Sequence, residues 1–125
     1  MALGEILIVD DSSTSRMIIQ RCIEMAGIES AGYRFAENGL DALASLKAKG
    51  GVSVIVTDIN MPKMDGQTFL RILKSDSRTS EIPVIVVSSV AAEEEGASVP
   101  APGALAVVKK PVSPAKMAAA FGGLS

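Results

Sequence analysis

The sequence predicts an α/β protein of the doubly wound class, in which helices cover both faces of a parallel β-sheet. Short apolar segments and amphipathic helical segments alternate about five times along the 125 residues. The segments at 6–9, 52–56 and 83–87 are almost entirely apolar. They lack the alternation of apolar and polar residues that is typical of a strand with one face in water. Strands buried on both faces are typical of parallel sheets flanked by helices, and this pattern therefore predicts the fold class.

Three strands and two helices are predicted in the first half of the chain. Apolar runs mark the strands, and apolar residues at helical spacing mark the helices. Both helices are expected to stop at glycine, which favours the backbone conformation that ends a helix. In order, the predicted elements are a strand at 6–9, a helix to Gly27, a weaker strand at 33–36, a helix to Gly50 and a strand at 52–56.

The second half of the chain carries the remaining elements. Asp65 and Gly66 are interpreted as turn residues. Ser113 and Pro114 form a typical helix start, because serine caps the first turn and proline tolerates its first position. The predicted elements are a helix at 69–73, a strand at 83–87, a solvated helix that begins near the glutamates at 93–95, a strand at 104–108 and a final helix through Phe121.

Composition favours one compact domain that spans residues 1–125. Nearly half of the residues are apolar and 21% are charged, which does not match a disordered chain. No apolar stretch approaches the ~20 residues needed to cross a bilayer, and the amino terminus lacks the pattern of a secretory signal. We therefore expect a cytoplasmic domain that does not contact the membrane.

Charge and residue content exclude several functions. A formal net charge of −2 leaves no basic face for a nucleic acid backbone, so nucleic acid is not an expected partner. The chain has no histidine and a single cysteine, Cys22, which removes imidazole-based nucleophile systems, zinc sites that use imidazole and internal disulfides. Any chemistry must therefore use carboxylates, hydroxyls and lysine.

Polar residues directly follow four of the predicted strands. In parallel α/β sheets, ligands bind outside the carboxyl ends of the strands, so these side chains are expected to meet at one edge. The residues are Asp10 and Asp11 after the first strand, Asp58 after the third, Ser88 and Ser89 after the fourth, and Lys109 and Lys110 after the fifth.

The acids in this set predict a metal site. Three carboxylates close together repel each other unless a cation binds, and their hard oxygens suit Mg²⁺. A carboxylate also serves as the covalent acceptor in phosphoryl transfer, in which a metal ion and a lysine offset the charge on the phosphoryl oxygens. Ser88 and Lys110 are suited to donate hydrogen bonds to those oxygens. The set therefore contains every part needed to form an aspartyl phosphate.

Each of these residues also has an ordinary structural explanation. Asp11 or Ser12 is a common helix cap, and Asp58 at a strand end is a common turn residue. Ser88 alone fits a loop, and a lysine alone fits the solvated end of a strand. Their combination at one edge favours the chemical interpretation.

Four segments resemble response-regulator receiver domains, in particular the stand-alone chemotaxis type. They are Ile-Leu-Ile-Val-Asp-Asp-Ser-Ser at 6–13, Asp-Ile-Asn-Met-Pro-Lys-Met-Asp-Gly at 58–66, Pro-Val-Ile-Val-Val-Ser-Ser at 83–89 and Lys-Lys-Pro at 109–111. The resemblance extends over essentially the whole chain. It implies a flavodoxin-like, five-stranded parallel sheet of order 2-1-3-4-5 with five helices, and a cis bond between Lys110 and Pro111.

The resemblance also implies a function. Receiver domains accept a phosphoryl group from a sensor histidine kinase or a histidine phosphotransfer protein, and then act on a downstream protein target. We expect the chain to be a monomer. The implied phospho-acceptor is Asp58, the switch hydroxyl is that of Ser88, and Lys110 binds the phosphoryl group. The implied magnesium site uses Asp11 and Asp58 as direct ligands, Asp10 through water and the backbone carbonyl of Asn60.

Two features depart from the family pattern. Many members carry an aromatic residue three positions before the lysine that corresponds to Lys110, where this chain has Val107. A valine side chain cannot switch between a buried and an exposed position as an aromatic ring does. Gly96, Pro100, Pro102 and Gly103 occupy the segment in which the helix between the fourth and fifth strands usually ends. We expect that helix to be short and the loop after it to be mobile.

Two other functions remain open on the residues alone. A receiver-like docking module that signals without phosphorylation is favoured by Val107 and disfavoured by the complete acidic site. A small phosphatase or phosphotransferase with an aspartyl nucleophile usually needs a second carboxylate two residues after the nucleophile, where this chain has Asn60. We therefore expect a phospho-acceptor signalling domain and not an enzyme with a substrate of its own.

Overall fold

The structure, a computed structural model, describes residues 3–59, 63–88 and 103–124. The strands and helices of these ranges follow one another in the order that the sequence predicts. The elements are β1 Leu3–Val9, α1 Ser13–Met25, β2 Ser30–Ala36, α2 Gly39–Ala48, β3 Val52–Asp58, α3 Gly66–Ser75, β4 Val84–Ser88, β5 Ala106–Lys109 and α4 Pro114–Phe121, followed by a 3₁₀ turn at Gly122–Leu124.

The five strands of the described ranges form one parallel sheet in the order β2-β1-β3-β4-β5. In β1, Ile8 pairs with Phe35 of β2 on one side and with Val56 of β3 on the other. This is the flavodoxin-like order implied by the resemblance, and the predicted fold class is confirmed. The topological switch point lies between β1 and β3, which is where ligands bind in folds of this class.

Four α-helices lie within the described ranges. The helix predicted to begin near 93–95, which was expected to be short, and the loop expected to be mobile fall at residues 89–102, outside the part of the chain that the structure describes. The predicted total of five helices is therefore not confirmed. No helix in the described ranges is long and apolar enough to cross a membrane.

Every strand differs by one to three residues at one or both ends from the sequence prediction, and β2 and β5 show the reason. β2 begins at Ser30 and not at residue 33, because its pairing with β1 starts at Leu3 opposite Ser30. β5 spans Ala106–Lys109 and not 104–108, because its pairing with β4 continues to Lys109 opposite Ser88. The hydrogen bonds to a neighbouring strand decide such boundaries, and apolar content alone does not reveal them.

Two apolar layers hold the helices against the sheet. On one face, α1 and α4 contribute Ile19, Ile23 and Met117, none of them more than 1% exposed. On the other face, α2 and α3 contribute Ala42 and Phe69, both 0% exposed. Replacing a buried phenylalanine with alanine costs about 3–5 kcal/mol, so layers of this kind hold the strand ends firmly in place.

A polar residue caps each of the helices in the described ranges. Ser12, Asn38, Asp65 and Ser113 each accept a hydrogen bond from the backbone N–H three residues further on. A cap of this kind contributes about 1 kcal/mol. The predicted cap at Ser113 is confirmed, whereas Asp65, interpreted from the sequence as a turn residue, is the cap of α3.

Candidate functional site

The parallel strands bring the predicted site residues to one edge of the sheet. Asp10 directly follows β1, Asp58 ends β3, Ser88 ends β4 and Lys110 directly follows β5. Ser88 pairs with Lys109, the residue before Lys110. Since β1, β3, β4 and β5 are neighbours in that order, all of these side chains lie on the carboxyl edge of the sheet, beside the switch point.

Three carboxylates lie at the centre of the site. Asp10, Asp11 and Asp58 each place an oxygen within 4.8 Å of the others. Asp10 is 1% exposed and Asp58 is 6% exposed, whereas Asp11 is open to solvent. Two acids are therefore withdrawn from water and the third faces it. Because Ser12 caps α1, helix capping does not account for Asp11.

The ammonium group of Lys110 lies between the two buried acids. Its Nζ atom is 3.6 Å from Oδ2 of Asp10 and 3.6 Å from Oδ2 of Asp58. The backbone N–H of Lys110 donates to the carbonyl oxygen of Ser88 at 2.8 Å, and the bond from Lys110 to Pro111 is cis, as the resemblance implies. Among the described residues, the ammonium group of Lys110 thus pairs with two of the three carboxylates of the cluster.

A second lysine holds the backbone around Lys110. Lys116 in α4 donates from Nζ to the carbonyl oxygens of Lys109 at 3.0 Å and Pro111 at 2.9 Å. The two carbonyl groups flank Lys110 in the chain, so this contact restrains the segment that carries it. Sequence reasoning missed Lys116, whose only signal is a basic residue in the first turn of a helix that follows a strand end.

The first turn of α1 holds the carboxylate of Asp10 through both oxygens. Oδ1 accepts the backbone N–H of Ser12 at 3.0 Å, and Oδ2 accepts the hydroxyl of Ser15 at 2.7 Å. Arg16 donates from Nη1 to the carbonyl oxygen of Asp10 at 2.6 Å. Sequence reasoning missed Ser15 and Arg16. The signal that points to them is a pair of polar residues one helical turn after two adjacent acids.

The chain turns sharply between β3 and α3. The N–H of Gly66 donates to the carbonyl oxygen of Ile59 at 2.7 Å. A Cβ atom on Gly66 would lie 2.6 Å from Cα of Ile59 and 2.9 Å from the carbonyl oxygen of Asp58, so only glycine fits this approach. Asp65 caps the helix that starts here, and the hydrogen bond from the backbone N–H of Thr68 holds the pKa of the Asp65 carboxyl below its ordinary value.

Three further residues of β3, β4 and β5 bear on the site. Thr57 is 0% exposed, and its Oγ1 donates to the carbonyl oxygen of Asp58 at 3.0 Å. Ser88 is 2% exposed. Val107 lies on β5 and is 38% exposed. Asn60, which the resemblance implies as a magnesium ligand, lies outside the described residues.

The donor atoms of the acidic cluster fit a hard divalent cation. One oxygen from each of the three carboxylates lies within 4.8 Å of the other two, and carboxylate oxygens are of the type that Mg²⁺ prefers. The Lys110 ammonium group pairs with only two of these acids. The exposure of Asp11 leaves one side open to the waters that Mg²⁺ retains. The chain has no histidine, so no imidazole competes to select a softer metal.

Together, the strand order and the acidic cluster define a flavodoxin-like α/β protein with a polar site at its switch point. A family model described as "Response regulator receiver domain" matches residues 6–121. The chain belongs to this family, and the resemblance found in the sequence is confirmed.

The named relatives are of the chemotaxis type. The chain is 36% identical over 110 residues to chemotaxis protein CheY1 of Helicobacter pylori, and this alignment covers 88% of this chain and 87% of that protein. It is 34% identical over 113 residues to chemotaxis protein CheY-3 of Vibrio cholerae, and this alignment covers 90% of this chain and 85% of that protein. The solved structure of chemotaxis response regulator CheY4 of Vibrio cholerae matches with a TM-score of 0.80 at 27% identity, over 98% of this chain and 99% of that one.

Proposed function

We propose that this receiver domain serves two-component signalling by accepting a phosphoryl group on Asp58 from a sensor histidine kinase or a histidine phosphotransfer protein. One observation carries the proposal: Oδ2 of Asp58 lies 3.6 Å from the ammonium group of Lys110, within the cluster of three carboxylates. This arrangement combines a nucleophile, a set of cation ligands and a group that offsets phosphoryl charge. Membership of the receiver family supports the same reaction.

Asp58 is the nucleophile in the proposed transfer. A carboxylate oxygen of Asp58 attacks the phosphorus atom of the donor's phosphohistidine, and the phosphorus–nitrogen bond of the donor breaks. The electron pair of that bond stays on the imidazole nitrogen, which takes up a proton, and an acyl phosphate forms on Asp58. Because Asp58 is only 6% exposed, the donor has to approach from the solvent side of the site, where Asp11 lies.

Lys110 and Ser88 are proposed to bind the transferred group. The ammonium group of Lys110 already lies 3.6 Å from Oδ2 of Asp58, so it is placed to meet a phosphoryl oxygen on that residue. The hydroxyl of Ser88 is proposed to donate to a second phosphoryl oxygen. The hydrogen bond from the Lys110 N–H to the Ser88 carbonyl joins the two donors through the backbone. Donors fixed before the reaction stabilise developing charge most effectively.

The acidic cluster is proposed to hold Mg²⁺. The proposed ligands are Asp10, Asp11, Asp58 and Asn60, the last of which lies outside the described residues. When bound, the ion supplies positive charge that offsets the phosphoryl oxygens and orients them for in-line transfer. Asp10 and Asp58 would hold it from the buried side, and Asp11 would hold it from the solvent side.

The proposed output is a change in the protein surface that controls a downstream protein target. The charge added to Asp58 favours a conformation in which the Ser88 hydroxyl moves toward it, and this biases an existing two-state equilibrium. We further propose that residues 1–125 act as one cytoplasmic, monomeric domain that binds neither nucleic acid nor membrane. In this role the chain acts as a signalling domain and not as an enzyme with a substrate of its own.

A receiver-like docking module that works without phosphorylation is the second candidate. Val107 favours it, because this residue replaces the aromatic side chain that many receiver domains carry and has no comparable swing between buried and exposed positions. A constitutive module would bind its target equally well with and without a phosphodonor, whereas a phosphorylated switch would not.

The intact mass of the protein after incubation with acetyl phosphate and Mg²⁺ tests the proposed function. We expect a gain of about 80 Da, the mass of one phosphoryl group, which disappears in Asp58→Ala and in a metal-free sample. A receiver domain of known competence, run in parallel, shows that the donor is active. No gain in the wild-type protein beside a gain in that control would overturn the proposal and favour the docking module.

A further inference from the structure

We propose that Ser15 is a positioning residue that fixes the Asp10 carboxylate for Mg²⁺ binding. This inference rests on the proposed function and deepens it, because it adds a residue to which the family resemblance assigns no role. It starts from one contact: the hydroxyl of Ser15 donates to Oδ2 of Asp10 at 2.7 Å. A hydrogen bond of this length to a carboxylate is charge-assisted and about twice as strong as a neutral one.

The carboxylate of Asp10 is held at both ends. Oδ1 accepts the backbone N–H of Ser12 at 3.0 Å, and Oδ2 accepts the hydroxyl of Ser15. Asp10 is 1% exposed, so bulk water does not replace a lost partner easily. Donors on both oxygens restrict rotation about the Cβ–Cγ bond, and the plane of the carboxylate is thereby set.

Ser15 itself is held in place by the start of α1. Its backbone N–H donates to Oγ of Ser12 at 3.1 Å, which is the capping bond of the helix. One and two turns further on, Ile19 and Ile23 are buried against the sheet. The hydroxyl is therefore presented by a rigid, packed element, which is what a positioning group requires.

Oδ2 of Asp10, the oxygen that Ser15 holds, is also the oxygen that lies near the ammonium group of Lys110. Oδ2 of Asp10 lies 3.6 Å from Nζ of Lys110, too long for a well-formed hydrogen bond, so the ammonium attracts this oxygen without fixing its direction. Without the Ser15 hydroxyl, the Ser12 N–H still holds Oδ1, but Oδ2 loses its hydrogen bond and can turn closer to Lys110. The carboxylate would then pair with the lysine at the expense of the Mg²⁺ site.

The inference predicts a specific effect of Ser15→Ala. Partners that orient a metal ligand contribute about 10–100-fold to metal affinity; we expect about 3–10-fold here, because Ser12 still holds Oδ1. The rate of phosphorylation by acetyl phosphate should fall at low Mg²⁺ and approach the wild-type rate at saturating Mg²⁺. Ser15→Thr keeps a hydroxyl at the same position and should restore most of the affinity.

Titration of the metal-free protein with MgCl₂ by calorimetry is the primary test, because it measures affinity without any phosphodonor. The matched control is Ser13→Ala, a serine-to-alanine change at an exposed residue in the same turn of α1. The unfolding midpoint of each variant without Mg²⁺ shows whether the fold is kept. A weaker affinity in Ser15→Ala, with Ser13→Ala and Ser15→Thr close to wild type, supports the inference.

Two outcomes overturn it: an Mg²⁺ affinity of Ser15→Ala equal to that of the wild type, or a Ser15→Thr variant as weak as Ser15→Ala. A failure of the proposed function can be told apart from a failure of this inference. If the wild-type protein gains no phosphoryl group while Mg²⁺ affinity still depends on the Ser15 hydroxyl, the phospho-acceptor role is wrong and the positioning role stands. If the wild-type protein is phosphorylated and Ser15→Ala shows the same dependence on Mg²⁺, the positioning role is wrong and the phospho-acceptor role stands.

Discussion

The Nζ atom of Lys110 lies 3.6 Å from Oδ2 of Asp58. The acid ends β3 and the lysine follows β5, so their meeting depends on β4, which lies between the two strands in the sheet. The backbone of Lys110 is held to Ser88 at the end of β4, and its neighbours on both sides are held by Lys116. The contact is thus set by the sheet and by α4 together.

Replacing Lys110 with alanine should slow the phosphorylation of Asp58. The expected reduction is about 10- to 100-fold, because one preorganised group that stabilises developing charge is lost from a partly exposed site. The initial rate of mass gain with acetyl phosphate at saturating Mg²⁺ measures the effect. Lys109→Ala removes the same charge from the exposed neighbouring residue and should leave the rate close to wild type. Equal rates for the two variants would contradict this role of Lys110.

Gly66→Ala should disturb the loop between β3 and α3. The added Cβ atom would lie 2.6 Å from Cα of Ile59, a backbone atom that cannot give way without moving the segment next to Asp58. We expect the free energy of unfolding to fall by about 1–3 kcal/mol and phosphorylation to slow as well. Urea denaturation measures the first effect.

Gly32→Ala is the control for that change, since a Cβ atom at Gly32 would meet nothing within 4 Å. It should change stability little and leave the phosphorylation rate unaltered. A Gly66→Ala protein as stable and as reactive as the Gly32→Ala protein would show that the loop adjusts freely.

Arg34→Ala should lower stability without affecting the site. Arg34 forms an ion pair with Glu5 across the first two strands, and it donates to the carbonyl oxygens of Lys49 and Gly50, both at 2.9 Å. The Arg34 side chain is 13% exposed, but its partners Glu5, Lys49 and Gly50 are accessible to water, which replaces the lost donor, so we expect the free energy of unfolding to fall by about 1 kcal/mol.

These contacts lie near the amino end of β1 and before β3, at the opposite end of the sheet from the acidic cluster. The Mg²⁺ affinity of folded Arg34→Ala should therefore match the wild type. Arg21→Ala, at an exposed position on α1, serves as the control for removing an arginine and should leave stability nearly unchanged. Equal stability of the two variants would rule out a structural role for the Arg34 contacts.

The cap of α3 should make stability depend on pH in a defined direction. The pKa of the Asp65 carboxyl is lowered in the folded protein by the hydrogen bond from the Thr68 N–H. A carboxyl whose pKa is lower in the folded than in the unfolded state stabilises the fold above the unfolded-state value, and this contribution is lost as the pH falls through the folded-state value. The loss is therefore expected below about pH 4.

Urea denaturation of the wild type and Asp65→Asn at pH 7 and at pH 3 measures this contribution. Asparagine keeps a capping oxygen but cannot ionise. The difference in unfolding free energy between the two proteins should favour the wild type at pH 7 and shrink at pH 3. A difference that stays constant with pH would show that the charge of Asp65 has no part in the cap.

The sequence by itself determined the fold class and the location of the site. Continuous apolar runs predicted strands buried on both faces, and such strands occur in parallel sheets covered by helices. In a parallel sheet every strand ends at the same edge, so Asp10, Asp58, Ser88 and Lys110, each at or directly after a strand end, had to share that edge. The strand order and the cis bond before Pro111 came from the family resemblance and not from composition or spacing.

The tertiary structure alone decided the contacts that orient the site residues. The hydroxyl of Ser15 on Asp10, the ammonium of Lys116 on the carbonyls beside Lys110 and the role of Asp65 as a helix cap were not predicted. Hydrophobic periodicity reports which face of an element is buried, and it carries no information on where a polar side chain from one turn meets a carbonyl or carboxylate of another segment. Those contacts depend on the path of each loop and the packing of each helix, which are determined only when the whole sheet has formed.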